Sequence, residues 1–437
     1  MVSLKERTRR MGIWLLPGLQ VKRWLSLVLV GMAMITMGLA IWIDLRPIFR
    51  TGQLLEGAIT TVARAIPNDT SGPLVLVVGL TFIVWGLRGA LTSITEVLVP
   101  DGEAPDLANR LLTHRRLNRG AKIVAIGGGT GLSTLLRGLK HYSNNITAVV
   151  TVADDGGSSG RLRREFGALP PGDLRNCLAA LADEEKLLTE LFKYRFPDRP
   201  AESESSLGGH SFGNLFLTVM AEISGGWEKG LAAASQVLAV RGRVLPATLE
   251  NVTLWAELED GTRIDGESQI PESGCKIRRV GCLPAAPKAL PRVLEAMAEA
   301  ELILIAPGSL YTSIIPNLLV PEIADALQKS TAPIVYVSNL VAQKGETEGL
   351  SVSDHIKAME AVVGGPFIQT VLVQKETPGV NLIPVDREIL AFMGLQVVGA
   401  DVIERVGTTG VRHHSRRLAR VLMHWYGRKL QQLRRAS

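Results

Sequence analysis

The chain has 437 residues, 46% of them hydrophobic, and its mean hydropathy of +0.20 is high for a soluble enzyme. This length predicts two or three domains of roughly 150 residues each. The net charge of +6 comes from Lys and Arg gathered near the two termini, which favours membrane-flanking charge and argues against a nucleic-acid partner. Three cysteines without ligand-type spacing indicate neither a disulfide framework nor a zinc site, and they fit a reducing compartment: Cys177, Cys275 and Cys282.

Two apolar segments lie near the start of the chain. Residues 25–43 carry no charge and, at roughly 1.5 Å per residue, are long enough to cross a hydrocarbon core of about 30 Å. The second segment, residues 73–87, is shorter and meets Arg88. It spans only if the weakly polar residues 89–95 join it and Arg88 snorkels to the surface. Residues 1–98 are therefore predicted to form a membrane hairpin.

Basic residues flank the two apolar segments on the outside of this hairpin. They are frequent before the first segment and after the second, and scarcer in between, so both ends are expected in the cytoplasm. A cleaved signal peptide is disfavoured because the charged leader is long and no small-residue cleavage site follows. We therefore expect a cytoplasmic domain anchored at the cytoplasmic face of the plasma membrane.

A polar stretch, residues 99–120, is interpreted as a linker, and an α/β pattern follows it. Short β-branched runs alternate with helical patterns, which predicts a doubly wound, mostly parallel Rossmann-like sheet with helices on both faces. An alternating segment at 251–267, with a turn at Asp260 and Gly261, predicts an inserted antiparallel hairpin and hence a mixed sheet. The predicted nucleotide-binding α/β domain covers residues 121–410, with strands at 122–126, 146–153, 302–306 and 334–338.

A glycine-rich turn follows the first predicted strand. It places bare backbone amides and a helix N-terminus at the carboxyl end of the strand, where an anion binds in such folds. It is not a Walker A loop, because no Gly-Lys-Ser/Thr follows, and the GxGxxG spacing fails at Leu132. A tight turn without a ligand is the alternative. The turn consists of Gly127, Gly128, Gly129, Thr130 and Gly131.

The second predicted strand ends in two acids and a run rich in glycine, serine and arginine. An acid at this place commonly accepts a hydrogen bond from a ribose hydroxyl, which makes Asp154 or Asp155 a candidate ribose contact. The amides, hydroxyls and guanidinium groups that follow are donors suited to phosphate or carboxylate, although a solvated flexible loop is the alternative. The candidates here are Asp154, Asp155, Gly157, Ser158, Ser159 and Arg161.

A third candidate segment, residues 170–176, begins with two prolines and a glycine. Asp173 is expected to act as the N-cap of the helix that follows. Arg175 and Asn176 lie in the first turn of this helix, where the macrodipole disfavours a cation unless it faces an anion. For this pair, ligand contact and simple surface placement remain equal alternatives.

Two more glycine-rich turns precede helices, at 208–214 and 307–313. In the first, His210 titrates near neutrality and could act as a general base, but local hydrogen bonding is the favoured interpretation. In the second, Tyr311 either stacks on a base or sugar or packs in the core. In a doubly wound fold, such turns converge only at the crevice outside the carboxyl edge of the strands. The loops at 338–340 and 345–348 are expected to complete this cleft.

These turns resemble, in their order and spacing, the gluconeogenesis-factor (YvcK-like) family. The resemblance covers residues 122–405, and the family is related to the CofD-like transferases that attach 2-phospholactate to a deazaflavin. The runs that carry it are GGGTG at 127–131, DDGGSSGRLR at 154–163, PPGDLRN at 170–176, GHSFGN at 209–214 and PGSLYTS at 307–313.

The resemblance implies binding of a nucleotide sugar of the UDP-N-acetylglucosamine type, a role in growth on gluconeogenic carbon sources, and a link to bacterial cell shape and wall synthesis. It assigns ligand contact above all to Asp154, Asn176, Asn214 and Tyr311. The candidate ligand-binding residues comprise the residues given above for the first glycine turn and for the segment after the second strand. They also include Asp173, Asn176, His210, Asn214, Gly308, Ser309 and Tyr311.

Two classes of function remain open. A binding and regulatory protein needs no activated nucleophile, and no Ser/His/Asp, HExxH or paired-acid pattern stands out. A phospho-transferase needs a metal, and Asp154 with Asp155 could hold Mg²⁺ between substrate phosphates. The binding role is favoured, with no catalytic residue assigned, Mg²⁺ as the one candidate cofactor and a homo-oligomer as a candidate assembly.

The carboxyl terminus, residues 411–437, is predicted to be a basic helix. Leu418, Val421, Leu422 and Trp425 recur at helical spacing among arginines. Such a helix either lies against anionic lipid or docks on the domain with a solvated basic face, and the sequence favours neither.

Overall fold

The computed structural model describes residues 107–197, 207–407 and 410–436, together with five isolated helical positions: Met34, Gly57, Val77, Thr81 and Trp85. The chain divides into two compact units, Met1–Arg116 and Leu117–Ser437. Apart from the isolated positions, the predicted membrane segments at 25–43 and 73–87 lie outside the described residues. Within the part of the chain that is described, no helix is long and apolar enough to cross a membrane.

The described helices are numbered in chain order. They are α1 (Leu107–Asn118), α2 (Gly129–Leu139), α3 (Gly157–Phe166), α4 (Pro171–Leu181), α5 (Glu185–Lys193), α6 (Phe212–Ser224), α7 (Trp227–Val237), α8 (Pro291–Ala298), α9 (Ile315–Leu318), α10 (Pro321–Lys329), α11 (Val352–Val363), α12 (Arg387–Phe392) and α13 (Ser415–Ala436). A short 3₁₀ turn at Pro271–Ser273 and a π turn at Leu310–Ile314 complete them.

The described strands form three sheets. They are β1 (Ile123–Gly127), β2 (Ile146–Val150), β3 (Arg243–Pro246), β4 (Thr253–Leu258), β5 (Arg263–Asp265), β6 (Ile277–Leu283), β7 (Leu302–Ile305), β8 (Ile334–Val337), β9 (Thr370–Gln374), β10 (Gln396–Ala400), β11 (Ile403–Val406) and β12 (Gly410–His413). β11 and β12 pair with each other as an antiparallel ribbon.

The central sheet has seven strands in the order β10-β9-β8-β7-β1-β2-β3, and all of its pairings are parallel. The residues of β1, β2, β7 and β8 are buried throughout, because helices or other layers cover both faces of the sheet. Chain order reverses between β1 and β7, and this reversal is the topological switch point of the doubly wound fold. The predicted α/β architecture is confirmed.

Alternate residues of β1 face opposite sides of the sheet and join separate cores. Val124 and Ile126 pack with one buried cluster, to which α8, α10 and α11 contribute. Ile123 and Ala125 pack with the other, to which α2, α4 and α13 contribute. The helices on both faces therefore hold the carboxyl ends of β1 and β7 side by side.

The predicted hairpin at 251–267 exists, but the prediction that it makes the central sheet mixed is wrong. β4 pairs antiparallel with β5 on one edge and with β6 on the other, so it has no free edge left for the central sheet. Its alternate residues Leu254, Ala256 and Leu258 are buried in the core on one face of the central sheet. The hairpin thus forms a separate layer over that sheet.

The carboxyl-terminal helix α13 belongs to the domain. Its apolar residues Leu418, Leu422 and Trp425 are buried in the same core as α2, while Arg416 and Arg420 are exposed. Gly138 of α2 admits this close packing, because a Cβ there would lie 2.1 Å from the carbonyl oxygen of Ser415. The predicted basic helix therefore exists, docked by its apolar face. The stretch interpreted as a linker contains helix α1.

Candidate functional site

The loops after β1 and β7 meet at the switch point with almost no space between their backbones. A Cβ built on Gly131 would lie 1.8 Å from the carbonyl oxygen of Pro307, which belongs to the loop after β7. Glycine is therefore required at position 131 by close approach. Helix α2 starts at Gly129, so part of the glycine turn is its first helical turn.

One amide of the glycine turn is already engaged by a carboxylate. Gly129, whose φ is +61°, donates its N–H to Asp173 Oδ2 at 2.7 Å. The prediction that Asp173 caps its own helix is wrong. Helix α4 starts two residues earlier, at Pro171, whose fixed φ suits a first helical position, and Asp173 reaches across from its first turn. The internal carboxylate thus stands where an anionic ligand group was expected.

The segment after β2 is also more ordered than a flexible loop. Helix α3 begins at Gly157, and Ser158 and Ser159 are buried in its first turn. Asp154 accepts the N–H of Gly156 at 2.9 Å. Asp155 accepts the amides of Glu267 and Ser268, at 3.0 and 2.9 Å, and so joins this segment to the end of the hairpin.

Four carboxyl groups gather beside this segment, and we call them the acidic cluster: Asp154, Asp155, Asp173 and Glu267. Burial raises the pKa of Glu267 to about 8, and the neighbouring charge of Asp154 adds to the shift. Burial likewise raises the pKa of Asp173 to about 6 against the opposing hydrogen bond from Gly129, and raises the pKa of Asp154. Glu267 is therefore mostly protonated at neutral pH.

A buried hydrogen-bond network lies between α3, α4 and α6. Ser158 Oγ lies 3.0 Å from His210 Nδ1 and accepts from Asn214 Nδ2 at 3.1 Å. Arg175 donates to Asn214 Oδ1 at 2.9 Å and to Ser211 Oγ at 2.7 Å. Burial lowers the pKa of His210, and the tautomer of its ring decides whether His210 Nδ1 or Ser158 Oγ is the donor in this pair.

A pocket of about 740 Å³, lined in part by α2, opens at the carboxyl edge of the sheet. We call it the basic pocket, because five cations and no Asp or Glu line it: Arg137, Arg175, Lys193, Lys344 and Arg412. Arg137 and Arg412 form ion pairs with Glu185 and Glu404, which lie outside the lining. Arg175 is held in the buried network. Lys193 and Lys344 contribute the charge that is least compensated by the protein.

Some of the predicted ligand-binding residues line the basic pocket, and the others do not. The basic pocket is lined by Thr130, Gly131, Asn176, Gly308 and Ser309. The remaining candidates do not line it. They lie in the glycine turn, the segment after β2, the acidic cluster, the buried network and the turn after β7: Gly127, Gly128, Gly129, Asp154, Asp155, Gly157, Ser158, Ser159, Arg161, Asp173, His210, Asn214 and Tyr311.

Two predicted contacts serve internal packing. Arg161 donates to the carbonyl oxygen of Gly208 at 2.8 Å and so ties α3 to the turn before α6. Tyr311 is 8% exposed within a hydrophobic cluster, and burial raises the pKa of its hydroxyl. Beside it, Glu346 from the predicted loop at 345–348 accepts the hydroxyl of Thr312 at 3.2 Å.

Sequence reasoning missed Glu267, Lys193, Lys344 and Arg412. Glu267 ends the hairpin next to Gly266, whose φ of +104° marks a backbone position suited to glycine. That is a local signal, but it does not indicate which acids lie nearby. The three cations come from α5, from the loop after β8 and from β12, and only the fold brings them to α2.

The candidate Mg²⁺ site was tested against the donor set. Among residues 107–197, 207–407 and 410–436, no three or more His, Cys, Asp and Glu side chains are grouped so that they could hold a metal ion. Asp155 is occupied by two backbone amides and Asp154 by one. These residues do not form an all-protein metal centre, and a Mg²⁺ ion here would depend on substrate phosphates for most of its ligands.

Taken together, these features define a doubly wound α/β protein with a basic pocket and a buried acidic cluster at the switch point. The family model described as 2-phospho-L-lactate transferase CofD matches residues 123–418. The chain therefore belongs to the CofD family, and within it to the gluconeogenesis factors (YvcK-like).

Individual relatives support this assignment. A protein from Nostoc sp. is 56% identical over 426 residues, which cover 95% of this chain and 92% of its own. The gluconeogenesis factor of Bacillus subtilis is 46% identical over 313 residues, which cover 69% of this chain and 97% of its own. A crystal structure of a UPF0052-family protein from Bacillus halodurans superposes with a TM-score of 0.65 at 43% identity, covering 69% of this chain and 99% of that one.

Proposed function

We propose that this gluconeogenesis factor binds a nucleotide sugar of the UDP-N-acetylglucosamine type in the basic pocket, without consuming it. Ligand occupancy would then regulate growth on gluconeogenic carbon sources, cell shape and wall synthesis. Relatives named as gluconeogenesis factors support the part of this proposal that concerns growth on gluconeogenic carbon sources. Comparing cell width and growth on glucose and on a gluconeogenic carbon source, in cells with and without the gene, tests that part.

The observation that carries the ligand proposal is the composition of the basic pocket. Its volume of about 740 Å³ lies within the usual range for small-molecule sites, roughly 300 to 1,000 Å³. Its cations suit a diphosphate, and the polar groups of Asn176 and Asn339 can orient a base or a sugar. Asp154, at the end of the second strand, does not line this pocket, so it is a ribose contact only if the ligand also extends to the acidic cluster.

Binding and turnover are tested separately. Calorimetry of the full chain in detergent with UDP-N-acetylglucosamine should show saturable binding. If the ligand extends to Asp154, Asp154→Ala should lower the affinity about 10- to 100-fold, because a charge-assisted hydrogen bond is worth roughly 1.5 to 3 kcal/mol. Unchanged affinity would confine the ligand to the basic pocket. Gly129→Val is unsuitable as a probe of the glycine turn, because the φ of Gly129 is +61° and a β-branched residue there strains the fold.

A Mg²⁺-dependent phospho-transferase is the second candidate function, and the match to the 2-phospho-L-lactate transferase family favours it. In that case the acidic cluster would help to hold Mg²⁺ on the substrate phosphates. Chromatography of the nucleotide sugar after long incubation with the protein distinguishes the two functions. Loss of the ligand that requires Mg²⁺ would support the transferase, and full recovery of the ligand would support the binding role.

The membrane anchor is a proposal that rests on the sequence of residues 1–98. The Bacillus subtilis relative covers 69% of this chain with 97% of its own length, so it has room for little beyond the α/β domain. Protease treatment of intact and opened cells tests the topology. Digestion of the α/β domain from outside intact cells, or recovery of the whole chain in the soluble fraction, would contradict it.

Contact of α13 with anionic lipid also remains a proposal, in a narrower form. Because its apolar face is buried, only exposed basic residues such as Arg416, Arg420 and Arg428 are available to phosphate headgroups. A chain starting at residue 107 should then bind anionic vesicles at low salt and dissociate from them as salt is raised. Absence of binding at low salt would contradict this contact.

A further inference from the structure

Helices α5 and α6 share an exposed apolar surface, which we call the α5–α6 face. Its members are exposed by between 47% and 72%: Leu187, Leu191, Tyr194, Val219 and Ile223. The two helices lie side by side, because the ring centroids of Phe192 and Phe216 are 5.5 Å apart. The two helices are therefore adjacent, and together they carry these exposed apolar side chains.

Helix α6 is apolar on two sides, which is unusual for a surface helix. One side is buried in the domain through Gly213, Leu217 and Ala221. The other side continues the α5–α6 face at the 3- and 4-residue spacing of a single helical stripe. This stripe consists of Phe212, Leu215, Phe216, Val219, Met220 and Ile223, all of which are exposed or only partly buried.

The size of this face is suited to a second protein surface. If a side chain of this type presents roughly 150 to 200 Å² when fully exposed, the exposed fractions of the five members leave on the order of 500 Å² of apolar area in water. A stable dimer buries about 800 Å² per partner, with an apolar centre and a polar rim. The α5–α6 face supplies such a centre.

The charges at the two ends of the stripe are complementary to each other. Arg195 lies at the amino end of α6, because it bridges to Ser211 and the preceding residue Tyr194 accepts the amide of Phe212. Glu222 lies in the last turn of α6 and is exposed. If two copies of α6 pack antiparallel, Arg195 of one copy approaches Glu222 of the other at both ends of the stripe.

We propose that the α5–α6 face is an isologous interface between two copies of this chain, with α6 packed antiparallel against α6 of the second copy. A two-fold axis near Phe216 and Val219 buries both stripes and closes both charge pairs. Lipid alone would cover the apolar stripe but would leave the opposite charges at its ends without partners. The charge arrangement therefore favours a second copy as the occupant.

The interface would also fix one wall of the candidate site. Asn214, on the buried side of α6, belongs to the network with Ser158 and Arg175. Phe192 and Lys193 of α5 line the basic pocket. Pairing two copies through α5 and α6 would hold the elements that carry these residues, although the dimer proposal does not depend on the identity of the ligand.

Light scattering coupled to size-exclusion chromatography, on the full chain in detergent with the detergent mass subtracted, tests the interface. The wild-type chain should be a dimer. The double substitution Val219→Glu and Ile223→Glu should weaken dimerisation at least about 100-fold, since it brings four like charges together in an apolar contact. Phe392→Glu is the matched control, because Phe392 on α12 is 94% exposed and apolar but lies beside the opposite edge strand, β10.

A charge exchange tests the antiparallel arrangement without introducing charge into the apolar stripe. Glu222→Arg and Arg195→Glu should each weaken the dimer about 10-fold, and the two together should restore it. A monomeric wild type, an unchanged dimer in the Val219→Glu, Ile223→Glu variant, or additive losses in the exchanged pair would overturn the proposal. So would a monomer that binds uncharged vesicles through this face, which would assign the face to lipid.

Discussion

The basic pocket and the acidic cluster both adjoin the glycine turn after β1, and they differ in both charge and hydration. The pocket is open, holds five cations and no acid in its lining, and keeps Lys193 and Lys344 in water. The cluster is more deeply buried and raises the pKa values of Asp173 and Glu267 instead of ionising both fully. The lysines of the basic pocket stay charged, whereas burial disfavours the ionised form of carboxyl groups in the acidic cluster.

This difference indicates which region attracts an anionic ligand more strongly. A phosphate in the basic pocket meets cations that are already charged and solvated. A phosphate on the glycine turn must compete with Asp173 for the amide of Gly129 and must approach other carboxyl groups. The carboxylate of Asp173 thus partly neutralises the helix N-terminus at the glycine turn, and for this reason we propose the basic pocket as the anion site.

The largest expected effect concerns the glycines that separate the two regions. Gly131→Ala should lower the free energy of unfolding by at least about 3 kcal/mol, because its Cβ would lie 1.8 Å from a backbone oxygen that cannot move aside. Gly156→Ala, on the acidic side, should change it by less than about 1 kcal/mol, because its Cβ would make only ordinary contacts, at 3.5 Å or more. Urea unfolding of both variants measures the contrast, and equal losses would contradict it.

The second effect concerns ligand affinity in the basic pocket. Reversing two charges with Lys193→Glu and Lys344→Glu should weaken UDP-N-acetylglucosamine binding roughly 100-fold or more, about 3 kcal/mol, because two attractions become repulsions. Lys186→Glu with Lys276→Glu is the matched control, since both lysines are exposed and lie outside the pocket lining. Calorimetry on all three proteins decides, and equal losses in both double variants would point to a long-range charge effect instead of a local site.

The third effect concerns the acidic cluster, and it is a change in the free energy of unfolding with pH. The pKa of Glu267 is raised to about 8 in the folded state from 4.5, so the folded state holds a proton that the unfolded state loses over this range. The stability from this group is therefore complete below pH 4.5 and is lost as pH rises through 8. Glu267→Gln should raise the free energy of unfolding by about 2 kcal/mol at pH 9 and much less at pH 5.

Glu259→Gln, at an exposed turn of the hairpin, is the control for Glu267→Gln and should shift stability little at either pH. Unfolding curves at pH 5, 7 and 9 supply the comparison. A gain for Glu267→Gln that is the same at all three pH values would mean that packing, and not ionisation, determines the effect.

The smallest effect tests competition at the shared turn. Asp173→Asn removes the negative charge that faces the amide of Gly129 and should strengthen nucleotide-sugar binding about 2- to 5-fold above pH 6, where Asp173 is ionised. Below pH 6 the variant and the wild type should converge, because Asp173 is then protonated. Weaker binding by the variant would instead make Asp173 a ligand contact and would move the site toward the acidic cluster.

The sequence predicted the alternation of strands and helices, the glycine turns at the ends of β1 and β7, and the hairpin around Gly261. Each of these depends on local preferences, namely short β-branched runs and turns that favour glycine. The same local signals failed for Asp173, which resembled an N-cap but bonds to Gly129, 44 positions away. The local signals also did not indicate that β4 would pair with β5 on one edge and with β6 on the other.

What the sequence determined by itself is the set of short-range features: apolar periodicity, glycines at close approaches, and the family resemblance carried by five turns. The tertiary structure determines which charged residues become neighbours. Lys193, Lys344 and Arg412 belong to three different elements, and Glu267 meets Asp154 only after the hairpin has folded over the sheet. Electrostatic interaction energies and desolvation depend on distance in space and on burial, and neither quantity is encoded in the spacing of residues along the chain.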